Sequence, residues 1–100
     1  MKKINLFCAA GMSTSLLVSK MRKAAEELGY ECEINAYSVQ EVTTYGPESD
    51  LVLLGPQVRY ELNQVQEKLP NNKVEVINMQ DYGMANGMNV MKHVIEVLGE

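Results

Sequence analysis

Histidine and cysteine are scarce in this sequence. Its 100 residues include one histidine, His93, and two cysteines, Cys8 and Cys32. Two cysteines do not make the disulfide framework of a small secreted domain, and their wide separation excludes a C-x-x-C redox motif. No cysteine lies near His93 in the sequence, so the chain offers no cluster of metal ligands. We therefore expect a protein that uses neither a metal nor a cofactor.

Long apolar runs are absent as well. No run approaches the ~20 apolar residues of a membrane-spanning helix. The run that follows the basic residues 1–3 stops at Cys8, before any cleavage site of a signal peptide. The formal net charge of −4 and the pI of about 5.0 argue against nucleic acid as a partner, because a basic face would then be expected. We expect a cytoplasmic, monomeric chain with reduced thiols.

Short apolar runs alternate with helical patterns along the chain. The runs at residues 4–8, 32–37, 51–54 and 74–77 predict four strands. Residues 51–54 are apolar throughout, which is typical of a strand buried on both faces. Because no repeat or linker interrupts the pattern, we expect one domain over residues 1–100.

Apolar residues at helical spacing follow three of these strands. They predict the core faces of three helices, which are Leu17, Met21, Ala24 and Leu28; Val58, Leu62, Val65 and Leu69; and Met84, Met88, Met91, Ile95 and Leu98. Ser38 and Glu41 have the spacing of a capping box, which predicts a short helix after the second strand.

Strands that alternate with helices predict an α/β fold with a parallel sheet and helices on both of its faces. We predict four strands in the order 2-1-3-4. Ligands of such sheets bind beyond the C-terminal ends of the strands. The function should therefore reside in residues 8–13, 55–57 and 78–83.

The strongest chemical signal is the segment directly after the first strand, which consists of Cys8, Ala9, Ala10, Gly11, Met12, Ser13, Thr14 and Ser15. Small residues allow a tight backbone curve, and the hydroxyl residues suit the start of a helix. Backbone N–H groups and the helix dipole would favour an anion there. They would also lower the pKa of a thiol and bind a phosphoryl group on its sulfur. The alternative is that Cys8 is a buried apolar residue that ends a strand.

The spacing of this segment resembles the phosphate loop of low-molecular-weight protein tyrosine phosphatases, C-x5-R-S/T. Ser15 matches the last position, but Thr14 stands where that family has its arginine. The arginine clamps the phosphate and stabilises charge in the transition state. Without it, we expect poor hydrolysis, whereas a phosphoryl group could still be held and passed on. A phosphatase or arsenate reductase that lacks this arginine, or a non-catalytic anion-binding module, stays an alternative.

A second resemblance covers the whole chain at matching length. Residues 6–17, 52–58, Tyr60, 74–77 and 82–83 resemble enzyme IIB of the lactose/cellobiose family of sugar phosphotransferase systems, especially its cellobiose-type members. The resemblance implies a fold similar to that of the low-molecular-weight tyrosine phosphatases. It also implies that Cys8 is the phosphorylated residue and that the backbone of residues 9–15 binds the phosphoryl oxygens.

The same resemblance implies the partners of the protein. In that family the phosphoryl group passes from phosphoenolpyruvate, through two general proteins, to a histidine of enzyme IIA. It then moves to the cysteine of IIB, and from there to the sugar during its passage through the membrane protein IIC. For this chain the implied acceptor is a β-linked disaccharide similar to cellobiose.

Other candidate residues carry weaker signals. Gln57 and Tyr82 would contact the phosphoryl group or a partner, or else serve only in turns and packing. Asp81 suits either the general acid of a phosphatase or the N-cap of the last helix. His93 lies off the apolar stripe of its helix, which predicts a solvent-facing position, and Cys32 is expected to be an inert strand residue.

Overall fold

The computed structural model describes residues 1–9 and 14–99, with Thr14 represented by its backbone. Its sheet consists of β1 (Lys2–Cys8), β2 (Cys32–Ser38), β3 (Leu51–Leu54) and β4 (Lys73–Val76). All neighbouring strands are parallel, and their order is β2-β1-β3-β4. The predicted fold class and the predicted strand order are thus confirmed.

The helices connect successive strands or follow the last one. They are α1 (Thr14–Glu27), α2 (Val42–Tyr45), α3 (Leu62–Lys68), α4 (Met79–Gly83) and α5 (Gly87–Val97). Two 3₁₀ segments, Val39–Glu41 and Pro56–Glu61, precede α2 and α3. In the described ranges no helix combines the length and the apolar character that crossing a membrane requires.

The sheet buries a separate apolar layer on each face. On one face Ile4 and Leu6 of β1 belong to a cluster with residues of α1 and α5, including Leu17, Met21 and Met91. On the other face Phe7, Val52 and Leu54 pack with residues of α2, α3 and the segment before it, including Val42, Val58 and Val65. Every residue of β3 is buried. Helices therefore cover both faces, because the side chains of the central strands alternate between two apolar layers.

Local signals fix two of the connections as the sequence predicts. The Ser38 side chain accepts a hydrogen bond from the backbone N–H of Gln40, and the carboxylate of Glu41 accepts one from the backbone N–H of Ser38. Both orphan donors at this helix start are thereby satisfied. After α1, Gly29 adopts a φ of +65°, a left-handed conformation that glycine adopts without steric cost.

The predicted last helix is wrong in its first turn. Instead of one helix from Met84, the chain forms α4 and α5, and Ala85 between them has a φ of 50°. This turn interrupts the helical period, so Met84 is 71% exposed. The core face of α5 consists of Val90, Met91 and Val94, with Met88, Val97 and Leu98 packed at its border.

Two smaller departures affect the other predicted helices. Val58 is buried as predicted, but its φ of −115° is not helical, and the regular helix α3 begins only at Leu62. Leu28 lies after the end of α1 and is 41% exposed. In both cases the apolar period extends beyond the helix that it predicts. Val58 still reaches the core, because contact with the core does not require helical backbone, whereas Leu28 lies past the end of the core face.

Candidate functional site

Cys8 is the last residue of β1, at the C-terminal edge of the sheet. Its Cα is paired with that of Ser38 on β2, and its side chain is 1% exposed. Further along the chain is α1, a helix of 14 residues that begins at Thr14. The unpaired N–H groups and the positive dipole end of such a helix favour an anion close to its start. The structure thus places the Cys8 thiol at the C-terminal end of a central strand, and α1 is the next helix along the chain.

Part of the predicted phosphate-binding segment can be followed in the structure. Ala9 and Ser15 are described, and both are exposed. Ala10, Gly11, Met12 and Ser13, together with the side chain of Thr14, lie outside the described residues. The backbone cradle around a phosphoryl group therefore stays a prediction.

Gly55 forms a wall of the Cys8 site. It follows β3, and its N–H donates a hydrogen bond to the carbonyl of Phe7 at 3.0 Å. A Cβ at this position would lie 2.6 Å from Cys8 Sγ, a separation that real Cβ atoms do not tolerate. The sequence predicts Gly55 only as the residue that ends a strand. Its contact with the thiol depends on the register of β1 against β3, for which the local sequence carries no signal.

Gln57 is a candidate accessory residue that the fold brings near Cys8. The same hypothetical Cβ of Gly55 would lie 3.0 Å from Gln57 Oε1. The Gln57 amide and the Cys8 thiol therefore approach the same point in space. Gln57 is exposed, so its amide is available to a group bound on the sulfur.

Tyr82 and Asp81 lie at the same edge of the sheet, in α4. Tyr82 is half-buried and packs against the core cluster on the α1 and α5 face. Asp81 is not the N-cap of the last helix, because Asn78 caps α4 and Asn86 caps α5. The Asp81 carboxylate instead accepts a hydrogen bond from the side chain of Asn89 at 3.3 Å. The signal for the correct caps was present in the sequence, because asparagine is among the preferred capping residues.

Cys32 lies at the opposite end of the sheet from Cys8. It pairs with Lys2, six residues before Cys8 along β1, which corresponds to about 20 Å. It is partly buried, and this burial raises the pKa of its thiol. Cys32 is therefore too far from Cys8 to form a disulfide with it or to receive a group from its sulfur, as expected of a residue without a chemical role.

His93 is exposed on α5, as its position off the apolar stripe predicts. Its Nε2 is hydrogen-bonded with the carboxylate of Glu75 on β4 at 2.6 Å. Within residues 1–9 and 14–99, no three side chains of histidine, cysteine, aspartate or glutamate are grouped so that they could hold a metal ion.

Comparison with characterised proteins identifies relatives over most of the chain. The sequence model of the lactose/cellobiose-specific IIB subunit of the sugar phosphotransferase system (PTS) matches residues 3–93. The galactose-specific EIIB component of Lactococcus lactis subsp. cremoris is 48% identical over 97 residues, which is 90% of each chain. The cellobiose-specific EIIB component of Lactococcus lactis subsp. lactis is 47% identical over the same length and coverage. The oligo-beta-mannoside-specific EIIB component of Bacillus subtilis is 40% identical and covers 98% of this chain and 97% of its own.

Solved structures of other IIB components are similar to this chain as well. The cellobiose-specific phosphotransferase IIB component of Borrelia burgdorferi is 34% identical, with a TM-score of 0.80 over 98% of this chain and 92% of its own. The lactose-specific IIB domain from Streptococcus pneumoniae, at 18% identity, shares the fold with a TM-score of 0.81 over 95% of each chain. On the match of the family model and the identity to three EIIB components, this chain belongs to the lactose/cellobiose-specific IIB subunits of the sugar phosphotransferase system.

Proposed function

We propose that Cys8 carries the phosphoryl group in a phosphoenolpyruvate-dependent PTS. It accepts the group from a phosphohistidine of enzyme IIA and donates it to a sugar held by the membrane protein IIC. Members of the family are phosphotransferases, and the observation that supports this role for Cys8 is its place at the C-terminal end of β1, the strand that precedes α1. In the proposed catalytic unit, Cys8 is the nucleophile and the backbone of residues 9–15 is the anion cradle.

The proposed chemistry consists of two displacements at phosphorus. In the first, the Cys8 thiolate attacks the phosphorus of the phosphohistidine, a P–S bond forms and the P–N bond to the histidine breaks. In the second, a sugar hydroxyl attacks the same phosphorus, its proton leaves to a base, and the P–S bond breaks to regenerate the thiolate. Backbone N–H groups at the start of α1 would stabilise the negative oxygens in both steps without a positively charged side chain.

The proposed acceptor is a β-linked disaccharide similar to cellobiose. The characterised relatives are named for galactose, cellobiose and oligo-beta-mannoside. The three sugars are all built from hexoses, and two of them, cellobiose and oligo-beta-mannoside, are β-linked. We further propose that the chain works in the cytoplasm as a single-domain monomer that visits IIA and then IIC.

Mass mapping after transfer from phosphoenolpyruvate tests this proposal. The protein is incubated with phosphoenolpyruvate, the two general PTS proteins and its IIA, and the added phosphoryl group is located by peptide mass analysis at neutral to alkaline pH. We expect one phosphoryl group on Cys8. Modification of His93, or no modification of a folded and otherwise competent preparation, would contradict the proposal. Rapid release of inorganic phosphate from the phosphorylated protein would favour the phosphatase alternative.

The two thiols should differ in the pH dependence of their alkylation. Burial raises the pKa of Cys32, so this thiol should react only as the pH rises above the ~8.5 of an ordinary cysteine. For Cys8 we predict the opposite direction, because the start of α1 and the loop amides favour the thiolate. Labelling of Cys8 should therefore reach half its plateau rate at a pH below ~8.5.

The midpoint of each pH profile decides this prediction, because the burial of Cys8 lowers its labelling rate at every pH. Inorganic phosphate should slow the labelling of Cys8 more than sodium chloride of equal ionic strength does, and it should leave Cys32 unaffected. An ordinary midpoint for Cys8 together with no protection by phosphate would remove the support for the anion cradle.

A negative charge at Gln57 should slow the phosphorylation of Cys8. In Gln57→Glu a carboxylate replaces an amide that approaches the same point as the thiol. It would repel the incoming phosphoryl oxygens and raise the pKa of Cys8. We expect phosphocysteine to form about 10 to 100 times more slowly, from the repulsion of like charges near a protein surface. The measurement is the rate of phosphorylation by phosphorylated IIA.

A matched control separates local from general charge effects. Gln64 is an exposed glutamine on α3, and Gln64→Glu makes the same chemical change away from Cys8. We expect it to leave the rate within about twofold, since exposed charges are screened by salt. Equal rates in the two variants would show that Gln57 does not contact the phosphoryl group.

A further inference from the structure

A cleft of about 480 Å³ opens beside the candidate phosphoryl site. It is bordered by Ala9, which directly follows Cys8, and by Ser38, which is paired with Cys8 across the sheet. Its remaining walls come from α2, α3 and the 3₁₀ segments that precede them. The volume lies in the range of small-molecule sites in proteins.

Four of the polar side chains that line this cleft are not used by the fold, whereas Ser38 caps a helix. Gln40, Thr43, Glu61 and Lys68 all border it, and within the described ranges their side chains form no hydrogen bond or ion pair. They offer an amide, a hydroxyl, a carboxylate and an ammonium group, which together provide both donors and acceptors. A ligand with several hydroxyl groups would match such a mixture, because each hydroxyl both donates and accepts.

Tyr60 adds an aromatic wall and is 76% exposed. An exposed tyrosine presents a rigid apolar ring with a polar tip. The ring suits the C–H face of a pyranose, and the polar side chains suit its hydroxyl groups. The carboxylate of Glu61 and the ammonium of Lys68 leave the lining without a net charge, which suits a neutral ligand.

The cleft lies close to Cys8. Neighbouring strands of a sheet are about 4.8 Å apart, so Ser38 at the border of the cleft lies that close to Cys8. One sugar ring in the cleft would leave the next ring of the same molecule beside Ala9, at the edge where the thiol lies. A hydroxyl of that second ring would then be within reach of a phosphoryl group on Cys8.

We propose that this cleft is a subsite for the non-reacting ring of a β-linked disaccharide acceptor. The inference rests on the proposed function, in which Cys8 donates its phosphoryl group to such a sugar. It assigns to this chain a share in the recognition of the sugar, with Tyr60 as the stacking residue and Gln40, Thr43 and Glu61 as the groups that bind hydroxyls.

Nuclear magnetic resonance titration of the full ¹⁵N-labelled chain tests the subsite. Cellobiose is the probe, and sorbitol is the control, because it is a polyol without a sugar ring. We expect saturable shifts of the backbone amides of Gln40, Thr43 and Glu61 with cellobiose at millimolar concentrations, and no saturable shift with sorbitol. Tyr60→Ala should weaken cellobiose binding at least tenfold. Met84→Ala, which changes an exposed residue outside the cleft, should leave it unchanged.

Titration of the wild type with inorganic phosphate tests the nature of the ligand. Preferential binding of phosphate in the cleft would contradict a neutral ligand. The subsite is overturned if the cleft amides do not shift saturably, if sorbitol acts like cellobiose, or if Tyr60→Ala binds normally. Phosphorylation of Cys8 in the same preparation, with no cellobiose shift, would overturn the subsite and leave the proposed function intact. Cellobiose binding without phosphorylation of Cys8 would overturn the proposed function and the acceptor role of the cleft.

Discussion

Cys8→Ser should abolish phosphoryl transfer to sugar, with a fall in rate of about a thousandfold or more. Serine keeps the size of the side chain, but its hydroxyl is not ionised near neutral pH, so the nucleophile of the first displacement is lost. The measurement is the formation of sugar phosphate from phosphoenolpyruvate with the general PTS proteins, IIA and membranes that contain IIC. Mass analysis of the same samples should find no phosphoryl group on the variant.

Cys32→Ser is the matched control, since it makes the same substitution at the far end of the sheet. We expect it to retain the wild-type rate within about twofold. Because Cys8 is 1% exposed, a serine there buries a hydroxyl at a cost of about 1–3 kcal/mol, so thermal unfolding must show that Cys8→Ser is folded. A folded Cys8→Ser protein that still transfers phosphate at an undiminished rate would mean that another residue carries the group.

The sheet could be predicted from the sequence because its signals are local. Each strand is a short apolar run, whereas the segments between the strands have the apolar spacing of helices. The rules for connecting parallel strands through helices then leave few possible strand orders. Leu51–Leu54 shows this most clearly, because a run that is apolar throughout suits only a strand covered on both faces. The strand order and the helices on both faces followed from these signals together.

The spacing of apolar residues does not reveal the boundary between α4 and α5, because turn-forming residues end the helix there. Met84 continues the spacing of Met88 and Met91 backwards, yet the chain turns at Ala85 and Asn86 caps the next helix. The dipeptide Asn86-Gly87 is a common turn signal, and it lies inside the predicted helix. A capping residue followed by glycine therefore outweighed an apolar match two residues earlier.

The site could be predicted only in part. Cys8 was identifiable because the strand, the small residues and the helix start are contiguous in sequence. The approach of Gly55 and Gln57 to its thiol comes from the register of β1 against β3, in which Phe7 pairs with Leu54. Such a contact between segments far apart in the chain has no local signal, so the sequence does not show that Gln57 approaches the thiol or that Tyr82 packs against the core.

Gly87→Ala should destabilise the protein strongly, although it adds only one methyl group. Gly87 is the first residue of α5, and it packs directly on the backbone of α1. A Cβ there would lie 2.5 Å from the backbone nitrogen of Met21 and 2.6 Å from the carbonyl oxygen of Lys20. Backbone atoms in the middle of a helix cannot move aside as a side chain can, so α5 must shift away from α1 and loosen the contacts of Met91 and Val94 with the core.

We expect a loss of about 2 kcal/mol, the typical cost of forcing extra volume into a packed interior. For a domain of this size that corresponds to a fall in Tm of about 10 °C. Gly83→Ala is the control, because a Cβ on Gly83 would meet no atom within 4 Å and alanine favours helix, so its stability should be unchanged or higher by up to about 1 kcal/mol. Thermal and urea unfolding of both variants provide the measurement. If Gly87→Ala proved as stable as Gly83→Ala, the close approach of α5 to α1 at this residue would be refuted.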